Sequence, residues 1–180
     1  VRNINDSAFH TSHSALQQYR QVSVTKTKMN IQTIIMKVRP PRIATLLFLA
    51  FLGIHVFVKD QTLGDAWRAA GVLIFAGGFA LMMWAWSLFR KCETPTKPTD
   101  QPKAFVAAGP YRFTRNPMYA GVTLMLAGLS LVMGSVVMLG APLLFWVIIN
   151  QFFVPFEENR MTETFGAAYQ DYKKSVRRWI

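Results

Sequence analysis

Cysteine is nearly absent: Cys92 is the only one in 180 residues, so no intrachain disulfide is possible. The three histidines, His10, His13 and His55, form no cluster with Cys92. That argues against a structural zinc site or a helix-borne zinc protease motif. Charge is also scarce, at 16% of residues, where a soluble domain carries roughly a quarter. Acids are the scarcest part of it, with nine Asp and Glu against twenty Lys and Arg. From Pro117 to Phe156 no charged residue occurs at all. A soluble domain of this length needs more charge to cover its surface. Any chemistry must therefore come from carboxylates, arginines, tyrosines or a bound organic molecule.

What is present is apolar sequence in long runs, 52% of the chain, with a positive mean hydropathy. A net charge of +11 could point to nucleic acid. The basic residues, however, sit in short clusters between the apolar runs, a placement that suits an anionic membrane face better than a continuous phosphate-binding stripe. The pattern predicts an all-α, polytopic membrane protein of about four transmembrane helices. Their approximate ranges are 43–58, 67–89, 117–134 and 136–156. The last two occupy the charge-free stretch, about twice the length that one ~30 Å crossing needs. Gly134-Ser135 and Gly140-Ala141-Pro142 are its natural breaks, so a tight helical hairpin is expected. Trp67, Trp84 and Trp86 suit interfacial belts, and Gly77-Gly78 permits close helix contact.

Residues 1–35 are polar and lack helical periodicity, and they read as a disordered or upstream extension. At Met36 the character changes to basic residues followed by an apolar helix, so 36–180 is read as one domain. A signal peptide is the alternative reading there. Further spans follow and no small-residue cleavage site comes after Phe51, which favours a retained anchor. Lys37, Arg39 and Arg42 precede the first span, six basic residues lie between Arg90 and Arg115, and Lys173, Lys174, Arg177 and Arg178 follow the last span. The opposite side carries only Lys59 and Arg68, balanced by Asp60 and Asp65. The positive-inside rule puts both termini and the 90–116 loop in the cytoplasm, where loop and tail are able to meet.

Three elements of that polar side carry candidate chemistry. In GPYRFTRNPMYAG, residues 109–121, Pro117 suits the first position of a helix and Asn116 its N-cap. Arg112 and Arg115 flank that helix start, a setting that suits a carboxylate. Glu157-Glu158 sits where the fourth span is expected to end, and is better tolerated there if the helix continues or if cations lie opposite. In FGAAYQDYKKSVRR, residues 165–178, Phe165, Tyr169, Tyr172 and Val176 recur at helical spacing. They form an interfacial amphipathic face that docks on the loop or on lipid.

Together, GPYRFTRNPMYAG, an apolar hairpin, an acidic pair and FGAAYQDYKKSVRR resemble the signature of the isoprenylcysteine carboxyl methyltransferases and their bacterial relatives, over roughly residues 90–178. The resemblance implies S-adenosylmethionine bound on the cytoplasmic side, in a pocket formed by the loop and the C-terminal helix. It places Lys103, Ala104, Phe105 and Val106 along the cofactor, with Tyr111 and the Asn116-Pro117-Met118-Tyr119 turn holding it from another side. Glu157 takes a polar end of the cofactor. Arg115 is the candidate anchor for an acceptor carboxylate, and Glu158 the candidate base for an amine. A lipophilic acceptor enters from the bilayer, and neither metal nor nucleic acid is expected. A bacterial inner membrane is the implied setting. The family's usual histidine before the proline is Asn116 here, and Phe153-Val154-Pro155-Phe156 stands where eukaryotic members carry an arginine. An isoprenylcysteine-like carboxylate is thus one acceptor reading and a phospholipid or small-lipid amine the other. A membrane sterol-type reductase fits less well, because Met118 and Val122 depart from that motif. A transporter fits poorly, since spans two and three have almost no buried polar residue and Asn150 and Gln151 are the exceptions.

Overall fold

The computed structural model describes residues 38–58, 63–91 and 105–179. The readings made for residues 1–35 and Met36, and for Cys92, Lys103 and Ala104, fall outside these residues. All regular structure among the described residues is helical.

The first helix, α1 (Pro40–Val58), opens on two prolines whose missing N–H groups cost nothing in a first turn. The second, α2 (Asp65–Lys91), holds 27 residues. Trp67 and the Trp84/Trp86 pair are 17 to 19 residues apart on it, roughly 26–29 Å, which matches the apolar thickness of a bilayer. Arg90 lies over the Trp86 ring at 4.8 Å, at the more basic end. Helix α3 (Pro117–Val132) has 16 residues. It turns at Gly134, where φ is +69°, and the turn accepts the Leu63 N–H on the Gly134 carbonyl at 2.6 Å. Ser130 Oγ, fully buried, lies 2.8 and 2.9 Å from Leu126 O and Met138 O, which share its one proton and so tie the two arms of the hairpin. The expected break at Gly134-Ser135 is where the chain reverses.

The fourth span does not end at residue 156. A 3-10 turn (Val137–Leu139), α4 (Gly140–Ile148), a π turn (Ile149–Phe153) and α5 (Val154–Ser175) form one helical run of 39 residues. Up to the bend at Gly166 it is roughly 44 Å long at 1.5 Å per residue, well beyond a hydrocarbon core. Its second half therefore projects beyond the apolar layer. The acidic pair sits inside this run, so it does not face the negative end of a helix dipole. The run bends at Gly166, with φ +53°, which lets residues 167–175 lean back over the 105–116 loop.

Three of these helices are long and apolar enough to cross a membrane, and the shorter α3 completes a four-helix architecture. Their outward faces carry large apolar side chains, Phe57 at 88% and Leu73 at 75% exposed among them. That is the surface expected of a protein whose solvent is lipid.

The tightest pairing is α2 against α3, and glycine makes it possible. Gly71 meets Gly128 and Gly78 meets Gly121, so that a Cβ on any of the four would come within 2.5–2.7 Å of opposing backbone. Both helices space these glycines by seven, and α2 continues the series with Ala85, which is fully buried. Backbones this close are held by dispersion and weak Cα–H···O contacts, the forces available where lipid removes the hydrophobic drive. Of the expected pair, Gly78 lies in the contact. Gly77 faces outward with nothing within 4 Å of an added Cβ.

Candidate active site

Ala85 of α2 is the floor on which the polar end is built. Val106 and Tyr111 bury themselves on it, with Leu88, Phe89 and Met118 packed around them. The Tyr111 ring stands 5.4 Å from Phe89. Pro110 starts a 3-10 turn (Gly109–Arg112) that presents Tyr111 inward and leaves Arg112 and Phe113 exposed. Burial, with Tyr172 and Glu157 nearby, pushes the Tyr111 hydroxyl well above its ordinary range, so it stays protonated at any physiological pH.

The bend at Gly166 brings α5 onto this loop. Tyr172 Oη donates to the Tyr111 carbonyl at 2.6 Å. Phe105 is ringed by Phe165, Tyr169 and Tyr172 at centroid distances of 5.8, 5.9 and 4.9 Å. The helically spaced aromatic face read from the sequence thus packs on the loop.

The two adjacent acids of α5 have different surroundings. Glu157 accepts a hydrogen bond from Tyr119 Oη at 2.6 Å, with Arg160 close enough for its charge to be felt. Glu158 is almost fully buried and meets three cations: Arg115 at 3.0 Å, Lys173 at 3.7 Å and Arg178 at 2.7 Å. The Arg178 contact is two-pronged, with Nε donating at 3.1 Å to the other carboxylate oxygen. Arg115 also donates from Nη1 to the Lys173 carbonyl at 3.0 Å. Both Glu158 oxygens are thus occupied by cations. The two terminal nitrogens of Arg115 are likewise engaged, one by Glu158 and one by the Lys173 carbonyl.

Segment 176–179 locks the loop to the helix. Thr114 pairs with Arg177 as an isolated bridge, and the Arg115 N–H donates to the Arg177 carbonyl at 2.9 Å. The Arg178 carbonyl accepts from Thr114 Oγ1 at 2.9 Å and from Asn116 Nδ2 at 3.0 Å. Asn116 is therefore at the N-cap position, but its side chain does not cap α3. The amide turns to the strap, and the Asn116 N–H finds Thr114 Oγ1 at 3.2 Å. Pro117 is buried at the first helical position, as its chemistry requires. Trp179 closes the strap by donating from Nε1 to Asn150 Oδ1 at 2.9 Å, in the π turn, with its ring 5.9 Å from Trp146. Replacing Trp179 with Phe keeps a ring and removes this one bond. The expected cost is about 1 kcal/mol, read as a lowered melting temperature in detergent. An unchanged melting temperature would mean that the bond contributes nothing.

Phe105, Val106, Tyr111, Asn116, Pro117, Met118, Tyr119, Glu157, Arg115 and Glu158 thus belong to one region at the basic end of the bundle. Sequence reasoning did not single out Arg178, Lys173 or Trp179 as partners there. For Lys173 and Arg178 the only signal was a cluster of positive charge downstream of an acidic pair, and for Trp179 there was none.

A family model described as phospholipid methyltransferase matches residues 67–168. Over 63 residues the chain is 35% identical to an uncharacterized protein of Haemophilus influenzae, an overlap that covers 35% of this chain and the whole of that protein. No solved structure matches it. The family match favours the phospholipid amine over the isoprenylcysteine carboxylate as acceptor.

Proposed function

The chain belongs to the phospholipid methyltransferase family, membrane enzymes that use S-adenosylmethionine, and on that premise we propose that it methylates the amine nitrogen of a phospholipid headgroup at the Tyr119–Glu157 pair. The carrying observation is the contrast between the two acids. Glu158 is enclosed by three cations, whereas Glu157 accepts a hydrogen bond from a tyrosine, with the charge of Arg160 nearby. Binding brings two cations together, a sulfonium and an ammonium, and these repel until the nitrogen gives up its proton. A carboxylate beside them offsets that repulsion, while an acceptor carboxylate in the same place would meet like charge.

S-adenosylmethionine supplies an activated methyl group when bound. The residues present suit it: aromatic faces at Phe105, Tyr169 and Tyr172 favour a sulfonium, and Glu157 favours its positive charges. An ammonium has no free electron pair, so the acceptor nitrogen must lose a proton before it attacks. Glu157 is the carboxylate with room to take it. Alignment and exclusion of water are the remaining requirements, and the aromatic packing of loop on α5 supports the reading that this region meets them. Arg115, Arg178 and Glu158 act in this reading as positioning residues that fix the loop against α5. The basic end is read as cytoplasmic, and the acceptor enters from the bilayer.

The test is label transfer from S-adenosylmethionine carrying a radioactive methyl, with the protein in vesicles of defined lipid. Vesicles containing phosphatidylethanolamine should acquire label in the headgroup, and vesicles of phosphatidylcholine alone should not. Label in neither, from protein that binds the cofactor, would overturn the phospholipid amine reading.

A further inference from the structure

The cation cluster around Glu158 carries more positive charge than its own acid can balance. Arg115, Lys173 and Arg178 share one carboxylate, which leaves a local excess of two charges. Lys173 and Arg178 keep partial access to solvent, at 30% and 36% exposed, but the Arg115 side chain is at 10% and Glu158 at 6%. Removing charge from water without a full complement of counter-charge is costly. One donor also goes unused: Arg115 Nε is buried and has no hydrogen-bond partner, alone in this respect among the described residues. An unpaired buried donor costs on the order of 1–3 kcal/mol, and such a group calls for a ligand that the protein itself does not contain.

The cluster is next to the proposed reaction centre. Glu157 and Glu158 are consecutive on α5, and the Tyr169 hydroxyl is within electrostatic reach of Glu157, Glu158 and Arg115 together. Tyr172 feels Arg115, and Tyr111 feels both Tyr172 and Glu157. A cation-seeking acid and an anion-seeking cluster are thus adjacent on α5.

We propose that Arg115 Nε, with Lys173 and Arg178, binds the anionic group of a zwitterionic ligand whose ammonium end lies toward Glu157. This inference rests on the methyltransferase reading, which supplies two ligands of that chemistry. One is S-adenosylmethionine, with its amino-acid carboxylate. The other is an aminophospholipid, with its phosphodiester. In both, an oxyanion is separated from a nitrogen by a few bonds, and guanidinium with ammonium is a donor set suited to either oxyanion.

The experiment compares wild type, Arg115→Lys and Lys173→Gln in detergent. Arg115→Lys keeps the charge and loses the Nε donor together with the Nη1 bond to the Lys173 carbonyl. Lys173→Gln removes the most weakly held cation and leaves Glu158 its two arginines, so its fold is expected to persist. Four probes are titrated by calorimetry: S-adenosylmethionine, methylthioadenosine (which lacks the amino-acid end), phosphatidylethanolamine in mixed micelles, and a long-chain alkylamine in the same micelles. If the anion is the cofactor carboxylate, both variants bind S-adenosylmethionine about tenfold more weakly, the loss of one charge-assisted bond, with methylthioadenosine unchanged. If it is the phosphodiester, phosphatidylethanolamine weakens by a similar factor with alkylamine and S-adenosylmethionine unchanged. Either result supports the site. Equal weakening of all four probes, or no weakening of any, overturns it and leaves the cluster a structural clamp. A wild type without affinity for S-adenosylmethionine would count against the methyltransferase reading alone, because the two lipid probes still decide the anion site.

Discussion

Glu158→Ala should destabilise the protein by about 3–5 kcal/mol, the range for removing one partner of a buried ion pair. The variant leaves Arg115, at 10% exposed, facing Lys173 and Arg178 with no anion between them. It also removes the anchor of Arg178, whose carbonyl holds Thr114 and Asn116. The loop should therefore loosen from α5, and cofactor affinity should fall together with the melting temperature. Glu158→Gln should behave similarly, because an amide keeps the shape but not the charge. The comparison that gives this meaning is Asp171→Asn, which breaks an exposed pair with Lys174 at 2.9 Å. Pairs of that kind contribute about 0–1 kcal/mol, so its melting temperature should barely move. If Glu158 were instead a general base with no structural part, Glu158→Ala would melt like wild type and bind cofactor normally while losing turnover. Thermal unfolding in detergent, read beside cofactor titration, separates the two cases.

Gly128→Leu should abolish the folded protein, whereas Gly77→Leu should leave it intact. At Gly128 even a Cβ would come within 2.5 Å of the Phe75 nitrogen and 2.6 Å of the Gly71 carbonyl. Those atoms are helix backbone and have no rotamer to change, so α2 and α3 must separate. Separation also withdraws Ala85 from under Val106 and Tyr111, taking the loop's floor with it. At Gly77 the added side chain meets nothing within 4 Å and extends into lipid, where leucine is at home. Its helix propensity also exceeds that of glycine by up to about 1 kcal/mol. Size-exclusion profiles of the two variants in the same detergent make the measurement. A monodisperse Gly128→Leu would mean that the close contact of α2 and α3 is dispensable.

Much of this was legible from the chain alone, for physical reasons that differ by region. Apolar length, tryptophan spacing and the charge-free stretch fixed the membrane class and the hairpin, because lipid leaves few alternatives to helix. The end of the fourth helix was not legible. Loss of hydropathy at Glu157 marks where the apolar layer stops, not where helical hydrogen bonding stops, and α5 continues to Ser175. Glycine pairing was legible in part: of the doublet read as a contact, Gly78 makes it and Gly77 does not. A doublet at 77–78 drew the eye, whereas the heptad series Gly71, Gly78, Ala85 against Gly121 and Gly128 is what sets the face. Asn116 had the chemistry of a cap, and a carbonyl 62 residues away competed for it successfully. Glu157 and Glu158 are alike in sequence and were given different roles by resemblance. Their difference in surroundings comes from consecutive positions on a helix pointing in different directions, one toward Tyr119 and the other toward Arg115 and Arg178. Long-range partners such as Trp179 and Asn150 leave no local pattern, so only the fold could pair them.

The most direct measurement is calorimetric titration of S-adenosylmethionine into detergent-purified wild type and Glu157→Ala, with folding of both verified by circular dichroism. Wild type should bind, and the variant should bind at least about tenfold more weakly, since a charged partner of the ligand has been removed. A well-folded wild type that shows no binding, or a variant that binds as wild type does, would contradict the account at its centre.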